Sequence, residues 1–370
     1  MSKPPFRADH VGSLLRPREL LEARSRLARG EIPATALGEL EDHAIERVIA
    51  KQEALGLHGV TDGEFRRANW AFDFLSGLQG TQVAYRDGAA AAGAPAPAPA
   101  RVVRVTGKVR FAGHPMIDHF RFLAAHSHAV AKMTLPSPTM LISAARNWRD
   151  VVDRQAYPDI EELHQDLGDA YAAALGAFHA AGCRYLQLDD VNMAYLCDPA
   201  MRAKLKDRGD DPEQMLEAWT RILGRALRSR PADLVVTTHV CRGNLRSAWF
   251  AQGGYETIAE TLFTRLDYDG YFLEYDSDRA GGFEPLRFVP KGPKKVVLGL
   301  VTTKSGQLED GELIRRRIEA AAHFVDVAQL CLSPQCGFAS TEEGNLLGEQ
   351  EQWAKLARIV EIASKVWPDA

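Results

Sequence analysis

Several features that would settle the class of a protein at once are missing from this chain of 370 residues. No apolar run reaches the roughly 18 residues that a membrane-spanning helix needs, and the first residues lack the apolar core of a signal peptide. The formal net charge of -4 provides no basic field for nucleic acid or for an anionic membrane. We therefore expect a cytoplasmic protein that binds neither nucleic acid nor membrane.

Cysteine is also sparse, with five residues that are odd in number and widely spaced. This pattern does not indicate a disulfide framework. Cys183 and Cys331 are interpreted as small buried residues and Cys197 as a loop residue, and none of the three is assigned a chemical role. The other two cysteines, Cys241 and Cys336, are candidate metal ligands.

Four potential metal ligands follow the ends of short β-branched or aliphatic runs. His239 and Cys241 are two residues apart, Glu274 ends a second run, and Cys336 lies in a Pro-Gln-Cys-Gly turn after a third. A His-x-Cys pair alone is a weak signal. Two thiolates, one imidazole and one carboxylate together form a ligand set that suits Zn²⁺, so the sequence predicts a zinc site.

Short β-rich runs alternate with helical periodicity along the chain, which favours an α/β fold of the (β/α)₈ TIM-barrel type over an open doubly wound sheet. Eight strands are predicted, at 7–13, 59–62, 131–135, 185–189, 234–239, 271–274, 295–301 and 329–333. Residues 1–370 are expected to form a single catalytic domain. Two β-like arms around an Ala/Pro-rich connector predict a hairpin excursion at 80–112, between the second and third strands.

Active sites of such barrels lie at the carboxyl ends of the strands, where the four predicted ligands are expected. The composition of the ligand set indicates sulfur chemistry. A zinc ion held by two thiolates is electron-rich, a poor generator of hydroxide and a good holder of a further thiolate. Coordination deprotonates a substrate thiol, whose free pKa is ~8.5, and leaves it nucleophilic. Glu274 is the hardest ligand and the natural one for an incoming sulfur to displace. These properties predict alkyl transfer to sulfur rather than hydrolysis.

The same segments carry a family resemblance. They resemble the catalytic barrel of cobalamin-independent methionine synthases, in His10-Val11-Gly12-Ser13, Asp62-Gly63-Glu64-Phe65, Leu186-Gln187-Leu188-Asp189, His239-Val240-Cys241, Glu274 and Pro334-Gln335-Cys336-Gly337. The resemblance covers nearly the whole chain and implies Zn²⁺ on His239, Cys241, Glu274 and Cys336.

The resemblance also implies a homocysteine site. Gly12 and Ser13 would hold the carboxylate of the amino acid, while Glu64 and Asp189 would hold its ammonium group. For these two acidic residues the alternative interpretation is an ion pair with a nearby arginine, Arg66 or Arg67.

The chain departs from the family in the half of the site that would meet a methyl donor. Where the family has Asp-Ile-His-Ser-Pro after the seventh strand, this chain has Thr302-Thr303-Lys304-Ser305-Gly306, and Asp189-Asp190-Val191-Asn192 replaces Asp-Glu-Pro-Ala. Lys304 or Asp190 is predicted to protonate the leaving group. The expected donor is of the 5-methyltetrahydrofolate type or a corrinoid, with a corrinoid protein as a candidate partner; oligomers are left open.

The sequence thus predicts a zinc-dependent methyltransferase that forms methionine from homocysteine or methylates another thiol. Two alternatives stay open. One is a zinc enzyme that adds a thiol cofactor to epoxides, which shares the attack of a zinc-bound thiolate on an electrophilic carbon. The other is a non-catalytic zinc-binding barrel, against which the predicted ammonium site argues, since a scaffold needs none.

Overall fold

A computed structural model describes residues 3–86 and 100–368. Its strands are β1 (Gly59–Val60), β2 (Gln79–Arg86), β3 (Ala100–Arg110), β4 (Val130–Pro136), β5 (Tyr185–Asp190), β6 (Val235–Val240), β7 (Gly270–Glu274), β8 (Lys295–Val301) and β9 (Leu330–Pro334). Its α-helices are α1 (Arg18–Ala28), α2 (Ala34–Ala54), α3 (Phe72–Leu75), α4 (Met116–His126), α5 (Ile160–Ala180), α6 (Asn192–Cys197), α7 (Pro199–Asp207), α8 (Pro212–Arg228), α9 (Glu256–Glu260), α10 (Gly311–Ala321) and α11 (Glu349–Val366). None of these helices is long and apolar enough to cross a bilayer.

Seven strands form one parallel sheet in the order β1-β4-β5-β6-β7-β8-β9. Helices provide the crossovers that parallel neighbours require, such as α5 before β5 and α8 before β6. All six residues of β5 are buried, as expected for a sheet that is covered on both faces. The register places Pro136, Asp189 and His239 side by side at the carboxyl ends of β4, β5 and β6.

The first of the eight predicted strands, at 7–13, is absent from the described structure, so the sheet has seven strands where a complete eight-stranded barrel was predicted. Only Ala8 forms a bridge, with Leu332 of β9. Three consecutive carbonyls beyond it accept hydrogen bonds from side chains instead: His10 O from Lys132 Nζ (2.6 Å), Val11 O from Gln187 Nε2 (2.7 Å) and Gly12 O from Thr61 Oγ1 (2.6 Å). The segment 8–14 therefore lies between the edge strands β9 and β1 without being a strand.

The predicted hairpin is present between β1 and β4. Strands β2 and β3 pair antiparallel in a separate two-stranded sheet. Its second arm packs onto the chain before α5, where Val105 N donates to Val151 O (2.7 Å) and Val109 N donates to Tyr157 Oη (2.6 Å). The hairpin is thus anchored near its base; its Ala/Pro-rich connector, 87–99, lies outside the described residues.

A buried ion pair ties the segment 8–14 to the sheet. Lys132 Nζ of β4 lies 3.2 Å from Asp9 Oδ1, and neither side chain is exposed. The Tyr185 hydroxyl of β5 donates to the other Asp9 oxygen (2.8 Å). Burial lowers the pKa of Lys132, while the Asp9 carboxylate opposes that shift. Since removing either partner would leave a buried charge, both are needed to hold this segment in place.

Burial of His10 in the same segment predicts an acid-sensitive stability. It lowers the pKa of this imidazole from 6.5 to about 4, and the Lys132 charge adds to the shift. Below pH 6.5 the unfolded chain takes up a proton that the folded chain refuses until about pH 4, so stability is lost as the pH falls. We expect this group to lower the free energy of unfolding by at most about 3 kcal/mol over that range. Urea titrations of wild type and His10→Gln across the range would measure it; parallel pH profiles would refute the assignment.

Candidate metal and substrate site

Four potential metal ligands meet at the carboxyl end of the sheet. His239 belongs to β6 and Cys241 follows that strand, Glu274 ends β7, and Cys336 lies two residues past β9. All four side chains are buried, and their ligand atoms lie within 4.8 Å of one another. The structure therefore brings together the four residues that the sequence singles out.

The chemistry of this cluster fits a zinc ion. The thiol sulfurs of Cys241 and Cys336 are 3.4 Å apart. The adjacent Cys241 thiol, and after it the nearby His239 imidazole, hold the pKa of the Cys336 thiol well below its usual value, so one thiolate is favoured in this site. The Nε2 atom of His239 is buried without a hydrogen-bond partner in the described structure. Two sulfurs, one free imidazole nitrogen and one carboxylate match the donors that zinc takes.

Neighbouring groups orient the Glu274 carboxylate. Its Oε1 accepts the Arg242 backbone N–H (2.6 Å), and its Oε2 lies 3.2 Å from Arg279 Nη2. Burial raises the pKa of Glu274 to about 7, against the opposing effects of Lys304, His239 and the Arg242 N–H. Such outer contacts fix the geometry of a ligand and tune its basicity.

A cavity of about 310 Å³ opens onto the cluster. Its lining includes three groups of side chains: the potential metal ligands His239, Cys241 and Cys336; the polar Ser13, Glu64 and Asp189; and the apolar or aromatic Trp70, Phe72, Met140, Tyr195 and Phe250. The lining thus places two carboxylates and a hydroxyl beside the potential metal ligands, under an apolar wall.

Glu64 is held in a strained backbone conformation that leaves one carboxylate oxygen free. Its φ of 61° is in the left-handed region, which residues with a side chain rarely adopt. Oε1 accepts the Thr134 hydroxyl (2.8 Å) and lies 3.5 Å from Arg67 Nη1. Oε2 is buried with no hydrogen-bond partner in the described structure, and burial raises the pKa of this carboxyl.

The alternative interpretation of Glu64 as an ion-pair partner therefore applies to only one of its carboxylate oxygens. Arg67 does approach one of its oxygens. Arg66 instead pairs with Glu41 and Asp42. A buried carboxylate oxygen without a partner is costly, so the remaining oxygen suits a cationic ligand group in the cavity.

Asp189 lines the same cavity, and the pKa of its carboxyl is also raised. Burial raises its pKa to about 7; the Glu64 charge adds to the shift, and His239 opposes it. Its Oδ1 accepts a hydrogen bond from Gln187 Nε2 (2.7 Å). Since burial raises the pKa of both carboxyls, an ammonium group placed beside them would stabilise both carboxylates.

Of the two residues predicted to hold a carboxylate, Ser13 lines the cavity, and Gly12 packs against Thr134 of β4 without lining it. A Cβ on Gly12, whose φ is 142°, would lie 2.6 Å from Thr134 Cγ2. The Ser13 hydroxyl oxygen accepts the Ala339 N–H (3.3 Å), which leaves its own proton available to a ligand. A Cβ on Gly337 would lie only 2.0 Å from that oxygen, so the contact requires glycine there.

We expect Gly337→Ala to displace Ser13 and to destabilise the protein by about 1–3 kcal/mol, the usual cost of overpacking. Affinity for a ligand carboxylate should fall as well. Thermal unfolding and calorimetric binding would measure the two effects. Gly176→Ala is a suitable control, because it lies in α5 with nothing within 4 Å of an added Cβ and should be neutral or stabilising. Equal behaviour of the two variants would contradict the prediction.

Neither predicted proton donor is among the residues that line the cavity. The Asp190 oxygens accept the Met193 N–H (3.0 Å) and the Thr139 hydroxyl (2.9 Å). Lys304 Nζ donates to Gly243 O (3.2 Å) and to the side chain of Asn244 (3.3 Å). Their part in proton transfer stays a prediction.

Sequence reasoning gave no role to three residues that support the site: Thr134, Gln187 and Arg279. The first two carry a signal that was available, since each is a polar residue with an apolar neighbour on either side in a buried stretch of strand. Arg279 lies in the loop after β7, where nothing in the local sequence marks it as the partner of Glu274.

The fold and the site define an α/β protein whose candidate metal centre lies at the carboxyl ends of parallel strands. A family model described as "Cobalamin-independent synthase, Catalytic domain" matches residues 6–365. The chain belongs to this family, that of the catalytic domains of cobalamin-independent methionine synthases. Family membership places it among the methyltransferases of methionine biosynthesis.

The chain also matches individual proteins over nearly its whole length. The uncharacterized protein YxjH of Bacillus subtilis (strain 168) is 47% identical over 366 residues, which span 99% of this chain and 96% of that protein. A 5-methyltetrahydropteroyltriglutamate–homocysteine methyltransferase of Bifidobacterium longum subsp. infantis is 22% identical over 370 residues, and the match spans 42% of its length.

Two solved structures show the same fold. A putative vitamin-B12 independent methionine synthase from Listeria monocytogenes has a TM-score of 0.79 at 40% identity, over 99% of both chains. A B12-independent methionine synthase from Shewanella sp. W3-18-1, solved in complex with selenomethionine, has a TM-score of 0.70 at 19% identity, over 97% of both chains.

Proposed function

We propose that this protein transfers a methyl group to the thiol of homocysteine, forming methionine, and that Zn²⁺ is its metal. The observation that carries the proposal is the convergence of four ligand atoms within 4.8 Å, in a cavity that also presents Glu64 and Asp189. Membership of the methionine synthase family supports the methyl-transfer part. The donor set supports the choice of metal.

The charges of the cavity suit an amino acid. The free Oε2 of Glu64 and the carboxylate of Asp189 would accept the ammonium group. The Ser13 hydroxyl, whose oxygen already accepts the Ala339 N–H, would donate its proton to the carboxylate of the substrate. Bound in this way, the amino acid is fixed at both charged ends while its thiol lies toward Cys241 and Cys336.

His239 Nε2, the two cysteine sulfurs and one Glu274 oxygen would hold the zinc ion. When bound, zinc lowers the pKa of a substrate thiol, so that it is present as a nucleophilic thiolate at neutral pH. Glu274 has partners of its own in the Arg242 N–H and the Arg279 guanidinium, which stabilise its carboxylate independently of a metal. It is therefore the ligand that we expect to give way to an incoming sulfur.

The methyl donor would enter along the apolar wall of the cavity. Phe250 is half-exposed at this wall, and Trp70 and Phe72 are partly exposed. Attack of the thiolate on the methyl carbon forms the new S–C bond and breaks the bond to the donor, whose leaving atom then takes up a proton. We assign that proton transfer to Lys304 or Asp190, which requires a movement of one of them toward the cavity.

Zinc analysis combined with X-ray absorption at the zinc edge tests the proposal. We expect one zinc per chain with two sulfur ligands, and three sulfur ligands once homocysteine is added. An unchanged spectrum in the presence of saturating homocysteine would refute thiol binding at the metal. A protein that retains no zinc would refute the metal assignment.

A further inference from the structure

We propose that Gln187 is a positioning residue that sets the spacing between the two charged ends of the amino-acid site, and so gives the protein its preference for a thiol that carries an amino group. This inference rests on the proposed function, because it assumes that Asp189 receives the ammonium group and Ser13 the carboxylate. Gln187 itself does not line the cavity and is completely buried. It therefore acts through its neighbours and not by touching the substrate.

The side-chain amide of Gln187 links the two ends directly. Its Nε2 donates to Asp189 Oδ1 and to Val11 O, both at 2.7 Å. Val11 lies two residues before Ser13 in the chain and lines the same cavity. Because an amide nitrogen carries two protons, both are used, and one rigid group joins the proposed ammonium site to the segment that bears the proposed carboxylate site.

The register of the sheet places this link immediately beneath the site. Gln187 is aligned with Thr134 of β4 and Thr237 of β6. Two residues further along, Asp189 is aligned with Pro136 and with the potential metal ligand His239. Since residues i and i+2 of a strand share a face, Gln187 lies one step below Asp189 on the side that faces the cavity.

A side chain that orients Asp189 without reducing its charge must be a neutral hydrogen-bond donor. An arginine or lysine at this position would pair with the Asp189 charge and leave less of it for a substrate ammonium group. A glutamate would repel it. An amide fixes the orientation of the carboxylate but keeps its charge available to the ligand.

The Val11 carbonyl has particular need of this partner. The segment 8–14 lacks the backbone pairing of a strand, and the carbonyls of residues 10–12 rely on side-chain donors. Without the Gln187 amide, Val11 O would lose its donor, and the segment leading to Ser13 would be free to shift relative to Asp189. A ligand that uses both sites would be affected by that shift, whereas a ligand that uses only one could follow it.

Binding measurements on the zinc-loaded protein test the inference. The two ligands are homocysteine and its deamino analogue, a mercaptobutanoate with the same thiol and carboxylate. The variants are Gln187→Leu, which removes both protons, and Gln187→Glu, which keeps the size and offers at most one. Gln329→Leu is the matched control, because Gln329 is also buried and donates through Nε2 to two carbonyls, Pro290 O and Lys294 O, at the opposite end of the sheet.

We expect wild type and Gln329→Leu to bind homocysteine more tightly than the analogue. In both Gln187 variants that preference should fall about tenfold or more, the loss that follows when a hydrogen bond to a charged group is removed. Zinc content should stay at one per chain. Having two variants guards against misfolding of the leucine variant.

Each contrary outcome has a distinct meaning. If wild type binds both ligands equally, the amino-acid site and hence the proposed substrate are wrong, and the inference falls with them. If wild type prefers homocysteine and both Gln187 variants keep that preference, the inference alone is overturned. If both variants lose zinc or lose affinity for the two ligands in equal proportion, Gln187 has a general structural role and the inference is likewise wrong.

Discussion

Cys336→Ser should give a folded protein that neither retains zinc nor transfers methyl groups. The serine hydroxyl is not deprotonated at neutral pH and is a hard donor, so a site that has lost one of its two sulfurs binds zinc poorly. Changes outside the ligand set already cost about 10–100-fold in metal affinity or activity, and loss of a ligand should cost more. Metal content after dialysis and initial rates of methionine formation would record both losses together.

Cys331→Ser is the matched control for this variant. Cys331 lies on β9, five positions before Cys336, and packs with Val11, Phe272 and Val297 away from the ligands. Its sulfur lies 3.9 Å from Pro5 O, an acceptor that a serine hydroxyl also suits. Zinc content should therefore be unchanged in Cys331→Ser. Full methyl transfer by Cys336→Ser without zinc would contradict the role proposed for the metal.

The convergence of the four potential metal ligands was predictable because it follows local rules. His239 and Cys241 are two residues apart at the end of an apolar strand, which places both on one face. Glu274 and Cys336 follow apolar runs in the same way, and parallel strands bring their carboxyl ends to one edge of a sheet. No knowledge of packing was needed beyond the parallel alternation of strands and helices.

The absence of the first predicted strand, 7–13, was not predictable by the same rules. Residues 7–13 have the composition of a strand, but the donors to three of their carbonyls are side chains that lie 122, 176 and 49 residues away in the chain. Strand propensity depends on the residues of the segment itself. It carries no information about distant side chains whose hydrogen bonds replace those of a neighbouring strand. The same long-range contacts make the segment part of the candidate site.

Period-two alternation distinguishes the two adjacent aspartates of β5. Neighbouring residues of a strand face opposite sides, so Asp189 and Asp190 are not expected to enter one cavity together. Asp189 lines it, and Asp190 accepts hydrogen bonds from Thr139 and Met193 instead. The strained turn that orients Glu64 was not foreseeable, since its left-handed φ is maintained by tertiary contacts.

Glu64→Gln should weaken homocysteine binding by about 10–100-fold and leave zinc content intact, because it replaces a charged acceptor of the ammonium group with a neutral amide. Binding of the deamino analogue should hardly change. Calorimetry with both ligands would show the difference. An equal loss for the two ligands would mean that Glu64 supports the cavity in general and does not recognise the amino group.

The stability of Glu64→Gln provides an independent test of the role proposed for Glu64. Burial raises the pKa of Glu64, so the ionised carboxylate opposes folding of the free protein above its ordinary pKa of 4.5, and this cost persists at neutral pH. Removing the charge should therefore raise the free energy of unfolding. Glu41→Gln should do the opposite, because Glu41 pairs with Arg24 and Arg66. A carboxylate that weakens the free protein while it strengthens ligand binding is placed for the ligand and not for the fold.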